Sequence, residues 1–210
     1  MIVSTVGSDA RSTATTYLGQ LGDILRDLDL DAVVRVWARL QRAREEGGSI
    51  FLAGNGGSAA TASHWANDLG KATKRPGCLP IRVVSLGDHI SWLTALGNDE
   101  GYDRVFAGQL ENFASPRDVL VVLSASGNSP NLVQAVHTAR AAGATTLGLL
   151  GFDGGILKSL VDDYVWLPTP KNSYGQVEDV HLVVCHLLTT CLATVPLESA
   201  PAFKADIHGR

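Results

Sequence analysis

The stretch Val119-Leu120-Val121-Val122-Leu123-Ser124-Ala125-Ser126-Gly127-Asn128-Ser129 joins two structural periods within one short run. Five consecutive apolar residues, three of them β-branched, read as a strand buried on both faces. Three hydroxyls then alternate with small residues, and Asn131, Val133 and Val136 open a helical pattern at once. A doubly buried strand leading straight into a helix is the repeating unit of a parallel sheet covered on both sides. In such a sheet the carboxyl end of a strand faces the ligand crevice. The helix N-terminus there presents unpaired N–H groups and the positive end of a dipole, which suit a phosphate. Gly127 lets the backbone approach an anion, while Ser124, Ser126 and Ser129 donate hydrogen bonds without adding charge. Simple capping of the helix by Ser126 or Ser129 is the alternative. Three serines around one glycine exceed what a cap needs, so the turn is read as a phosphate site.

The same rhythm extends in both directions. Strands are predicted at 50–53, 82–85, 119–123, 146–150 and 164–167, with helices at 58–69, 89–96, 102–113, 131–142 and 155–160. After the loop 168–176, a long helix is expected from Val177 to about Thr194. Ahead of the strands, Leu18, Leu21, Ile24, Leu25 and Leu28 recur at helical spacing. Leu30-Asp31 punctuates before a second run through Val33, Val36, Trp37 and Leu40. Two amphipathic helices cannot bury their stripes alone, so they are expected to pack on the core and on a partner subunit. The fold class is therefore α/β: a three-layer αβα sandwich around a parallel, doubly wound sheet. It is expected as a single domain over 1–210, with leading helices at 13–46, the core at 49–194 and an aperiodic tail at 195–210.

Composition narrows the function. Of 210 residues, 45% are hydrophobic and 18% charged, and the net charge is −4. A nucleic-acid partner is not expected, because the basic residues cluster only at Lys71, Lys74 and Arg75. That stretch reads as a solvated loop that can also meet a small anion. Neither a signal-peptide pattern nor an uninterrupted apolar run of membrane-spanning length is visible, so no membrane partner is expected. Cys78, Cys185 and Cys191 form no CxxC pair, and their odd number argues against a disulfide framework. Cys185 and Cys191 lie in an apolar helical pattern and are expected as buried, reduced thiols. The cytoplasm is the expected compartment.

A second glycine-rich turn, Gly54-Asn55-Gly56-Gly57-Ser58-Ala59, follows the strand at 50–53. Gly54, Gly56 and Ala59 imitate a dinucleotide fingerprint, but about twenty residues on the chain reads Lys74-Arg75-Pro76-Gly77-Cys78 instead of offering an acid. A loop presenting Asn55 and backbone amides to a hydroxylated ligand fits better; a tight turn with no ligand is the alternative. On the following helix His64 and Asp68, at i and i+4, share a face. The last helix carries Glu178, Asp179, His181 and His186. His181 and His186 are separated by about 140° around the axis, so both cannot enter one cleft. A divalent metal site and a set of structural core residues both fit these groups.

The segments GNGGSAA, SHWANDL, LTALGNDEGYDRVF, LSASGNSPN and VEDVHLVVCHLL together resemble the sugar isomerase (SIS) domain, and within it the phosphoheptose isomerases. The likeness spans about residues 15–194. It implies a homotetramer that isomerises sedoheptulose 7-phosphate to D-glycero-D-manno-heptose 7-phosphate through an enediol. By that resemblance Asn55, Gly56, Gly57, Asn98 and Asp99 hold the substrate, while Ser124, Ala125, Ser126 and Ser129 bind its phosphate. Asp68 and Glu178 also touch the substrate, with Asp68 and His186 as the catalytic pair. His64, Asp68, Glu178 and His186 would hold one Zn2+ per subunit. The family usually carries Glu at the Asp68 position and Gln at the Glu178 position. A non-catalytic sugar-phosphate sensor or protein adaptor of the same fold, and an isomerase of another phosphosugar, are the alternative readings.

Overall fold

In the computed structural model, which describes residues 3–194, β1 (Ser49–Gly54), β2 (Arg82–Ser85), β3 (Val119–Ser124), β4 (Thr145–Leu150) and β5 (Asp163–Trp166) form one sheet. All neighbours run parallel, in the order β2-β1-β3-β4-β5. The helices are α1 (Val3–Arg26), α2 (Leu30–Glu45), α3 (Gly57–Lys71), α4 (Ile90–Asp99), α5 (Ala107–Phe113), α6 (Pro130–Ala141), α7 (Gly155–Leu160) and α8 (Tyr174–Thr194). The expected tail at 195–210 lies outside the described residues.

Alternation along β3 shows why both sheet faces must be covered. Val119, Val121 and Leu123 enter one core with α2, α3 and α8, while Leu120 and Val122 enter the other with α5 and α6. Polar anchors tie the opposite, amino-terminal end of the sheet. Asp118 accepts from the backbone N–H of Ser49 and of Ser115, each at 2.7 Å. The buried guanidinium of Arg44 donates to the carbonyls of Thr73, Leu79 and Leu192, joining the loop after α3 to the end of α8.

Several boundaries depart from the sequence reading; α4 runs on to Asp99, and α8 begins at Tyr174, inside the expected loop. Asp29 caps α2 by accepting from Ala32 N at 3.0 Å, so Leu30 and Asp31 are helical rather than punctuating. The helix expected over 102–113 is instead a 3-10 turn, Tyr102–Arg104, followed by α5. Val105 and Phe106, both buried, join the two pieces. Finally, α1 begins at Val3 rather than near Thr13, because its first turns lack the apolar stripe on which the reading relied.

Helix α1 meets the start of α8: the Tyr17 hydroxyl donates to Asp179 Oδ2 at 2.5 Å and Gln176 Nε2 to Gln20 Oε1 at 3.0 Å. Among the described residues, α8 is the one helix long and apolar enough to cross a membrane. Its apolar side is already inside the protein, with Val177, Val180, Val184, Leu188 and Leu192 buried at helical spacing.

His181 shares that buried face, and neither ring nitrogen has a hydrogen-bond partner in normal geometry. Burial lowers its pKa to about 4, with the Leu150 carbonyl opposing the shift. The folded protein thus refuses a proton that the unfolded chain, near pKa 6.5, accepts. Stability is retained above pH 6.5 and decreases as pH falls towards 4, by up to about 3 kcal/mol. Urea midpoints should therefore fall between pH 7 and pH 4.5, and His181→Leu should flatten that slope. An unchanged slope in the variant would assign the acid sensitivity to other groups.

Candidate active site

The sheet order places the site. From β1 the chain turns outward to β2, and from β3 it turns the other way to β4, so the turns after β1 and β3 diverge and leave a crevice. Gly54 stands opposite Leu123 in the ladder, which sets Asn55 beside the start of the serine turn. A cavity of about 170 Å³ lies there, lined among others by Asn55, Ser124, Ala125, Ser126, Ser129 and Glu178.

The serine turn is shaped to donate. Gly127 N–H donates to Ser124 Oγ at 3.0 Å and Asn128 N–H to Ser126 Oγ at 3.3 Å, leaving both hydroxyl protons for a ligand. Ser129 occupies the N-cap position of α6, yet its side chain makes no capping bond. Capping alone therefore does not account for these serines. Gly127 has φ 65, and a Cβ there would strike the Gly154 carbonyl.

Beneath this turn, α3 and α8 run side by side. His64 Nε2 lies 3.2 Å from Asp68 Oδ2 and 3.1 Å from His186 Nε2, and His186 Nε2 lies 3.5 Å from Asp68 Oδ2. Two imidazole nitrogens and a carboxylate oxygen converge within 4.8 Å, with both rings half-exposed. Three such donors around one point suit a divalent ion of the zinc type. The i, i+4 spacing of His64 and Asp68 thus forms one side of a cluster, and His186, rather than the buried His181, closes it.

Two expected groups lie elsewhere. Glu178 precedes His186 by about 12 Å along α8 and is not in the cluster. Its carboxylate rests against Gly57 at the α3 N-terminus, where any Cβ would collide with it. Asn98 and Asp99 close α4 and pair with each other at 2.7 Å, away from the cavity lining. The basic stretch at Lys71, Lys74 and Arg75 begins at the end of α3, about 20 Å along the helix from the serine-turn cavity and one turn beyond Asp68, and Arg75 donates to the Ala193 carbonyl. Burial raises the Cys185 thiol pKa well above its ordinary value, as expected of an inert thiol, whereas Cys191 is half-buried.

Residues not singled out from sequence also reach the site. Tyr174 lines the cavity, and Asn131 and Tyr102 bind the Asn55 carboxamide. Asn131 belongs to the SGNSPN run and Tyr102 to the NDEGYD run, but nothing in either run announces a partner 76 or 47 residues away.

The SIS domain profile matches residues 16–151. A phosphoheptose isomerase of Trichlorobacter lovleyi is 41% identical over 158 residues, covering 74% of this chain and 78% of that protein. That of Syntrophotalea carbinolica is 37% identical over 181 residues, covering 84% and 90%. The solved phosphoheptose isomerase of Neisseria gonorrhoeae is 28% identical and superposes with a TM-score of 0.76, covering 93% of this chain and 100% of that one.

The constraint at Gly127 is testable without any ligand. Gly127→Ala should destabilise the protein by about 1–3 kcal/mol, since it combines an unfavourable φ with a backbone collision. Thermal unfolding measures it, and a variant as stable as the wild type would refute the close approach to Gly154.

Proposed function

The chain belongs to the SIS-domain family, within the phosphoheptose isomerases, and from that premise we propose that it isomerises sedoheptulose 7-phosphate to D-glycero-D-manno-heptose 7-phosphate. The observation that carries the reading is that α3 and α8, which line the serine-turn cavity at Ser58 and Glu178, also carry the His64–Asp68–His186 cluster. The separation of cavity and cluster supports a long substrate. Ser58 lines the upper cavity, and His64 follows about 9 Å further along α3. A seven-carbon chain with a terminal phosphate reaches roughly 10 Å when extended, which lets one end sit at the serines and the carbonyl end near the cluster.

In this reading Ser124, Ser126 and Ser129 grip the phosphate, with the amide of Ala125 beside them, and Asn55, Gly56 and Gly57 border the chain. They contribute positioning rather than proton transfer. Asp68 removes the proton from the carbon next to the carbonyl, giving an enediol. His186 moves a proton between the C1 and C2 oxygens. His64, Asp68 and His186 would hold a zinc ion, one per subunit, and Glu178 would join them only after its side chain swings away from Gly57. When bound, the ion would polarise the carbonyl. Exposed Leu18, Val84, Ile90 and Phe113 are suited to contacts in a homotetramer, and three free cysteines fit a cytoplasmic setting. A sensor or adaptor of this fold has no need of a convergent His/Asp/His cluster, which favours the enzyme.

NMR of sedoheptulose 7-phosphate incubated with the protein and zinc should show aldose product. His186→Ala should lower kcat by about 100-fold or more, with thermal unfolding unchanged because the ring is half-exposed. No product from the wild-type protein would end this assignment. Product from a six-carbon ketose phosphate alone would transfer it to another phosphosugar.

A further inference from the structure

The carboxamide of Asn55 is held from two directions. Its Nδ2 donates to Asn131 Oδ1 at 3.0 Å, and its Oδ1 accepts from Asn131 Nδ2 at 2.8 Å, closing a ring of two amides. The Tyr102 hydroxyl donates to the same Oδ1 at 3.1 Å. Asn131 is only 2% exposed and sits in the first turn of α6, so it forms a rigid end to the clamp. Tyr102, 60% exposed, closes it from outside.

A carboxamide offers two donors and two lone pairs. Both lone pairs of Asn55 Oδ1 are engaged, and one N–H of Nδ2 remains. Asn55 lines the same cavity as Ser124 and Ser126, whose hydroxyl oxygens already accept backbone N–H groups and whose protons are free. Each serine thus keeps its O–H donor and one lone pair, whereas the one uncommitted position on the Asn55 carboxamide is a donor. A phosphate oxygen can accept from all three residues, whereas a sugar hydroxyl seeking an acceptor at Asn55 finds none.

We propose that Asn131 and Tyr102 are positioning residues that fix Asn55 as a hydrogen-bond donor to a phosphate oxygen of the ligand. This deepens the reading of the crevice as a sugar-phosphate site and rests on it. The mirror arrangement, with both carboxamides turned over and the Tyr102 hydroxyl accepting, would instead present an acceptor to the ligand. Asn55→Asp keeps the acceptors but removes the N–H and adds a negative charge.

The test is titration with inorganic phosphate, followed by calorimetry, alongside KM and kcat for sedoheptulose 7-phosphate. Asn55→Asp should weaken phosphate binding by about 100-fold or more, since it replaces a donor with a charge facing an anion. Tyr102→Phe should raise the phosphate Kd and KM together by about 3–10-fold, the range of one net hydrogen bond, with kcat within about twofold. Because Tyr102 is exposed, its unfolding temperature should not change, which separates positioning from a structural role. Asn55→Asp binding phosphate as well as the wild type, or Tyr102→Phe leaving Kd and KM unmoved, would overturn the clamp while the site reading stands. Wild-type protein that binds no phosphate at all would overturn both.

Discussion

The divergence of the chain at the ends of β1 and β3 is the constraint on which the rest of the molecule depends. All five strands are parallel, so every strand delivers its carboxyl end to the same edge of the sheet. Between β1 and β3 the strand order reverses, and the helices that follow them cover opposite faces, α3 on one and α6 on the other. Hydrogen bonding between the two strands then fixes how their turns meet, because a shift in register would displace Asn55 from the serines. The apolar cores on both faces enforce that register. Burying Leu123 on one side and Val122 on the other leaves β3 no freedom to slide.

A second alignment sets the lower part of the crevice. Helices α3 and α8 run in the same direction, and the buried Trp65 Nε1 donates to Thr189 Oγ1 at 3.1 Å. Trp65 follows His64 in sequence, and Thr189 lies three residues beyond His186. Locking the inner pair turns both histidines outward to the same groove, where Asp68 meets them. The buried face of α8 keeps it from rotating: any turn that brought His181 to the groove would expose Val177, Val184 and Leu188. Packing energy of several kcal/mol thus opposes exchange of one histidine for the other.

Much of this was legible in the sequence, for reasons that particular residues make plain. The run Val119–Leu123 and its hydroxyl-rich sequel disclosed a buried parallel strand and its crevice-facing turn, because period and composition are local. The i, i+4 pair His64 and Asp68 was likewise local. Angular spacing separated His181 from His186 but did not say which enters the cleft; that depends on which face of α8 the sheet covers. Glu178 lies apart from the His64–Asp68–His186 cluster although sequence grouped them, since it stands eight positions before His186, about 12 Å along the helix. The pairing of Asn55 with Asn131 and Tyr102 depends on strand register and on the broken helix at 102–106, neither of which a local pattern encodes. The family resemblance supplied roles that spacing alone left open between metal ligands and core residues.

In the proposed reading Glu178 shares its cavity with an anion held at the serine turn. The arrangement of helix ends accommodates both. The carboxylate lies against Gly57, at the N-terminus of α3, where the N-cap residue Gly56 provides no side-chain cap of its own. The serine turn leads into the N-terminus of α6, whose N-cap side chain is also unengaged. The carboxylate and a phosphate at the serine turn would each have their own helix terminus, with the positive end of a separate dipole. A carboxylate at position 178 lies where the positive end of the α3 dipole favours it and draws on none of the donors at α6. The crevice can hold two negative groups because the switch in strand order brings two helix N-termini to it, one from each face of the sheet.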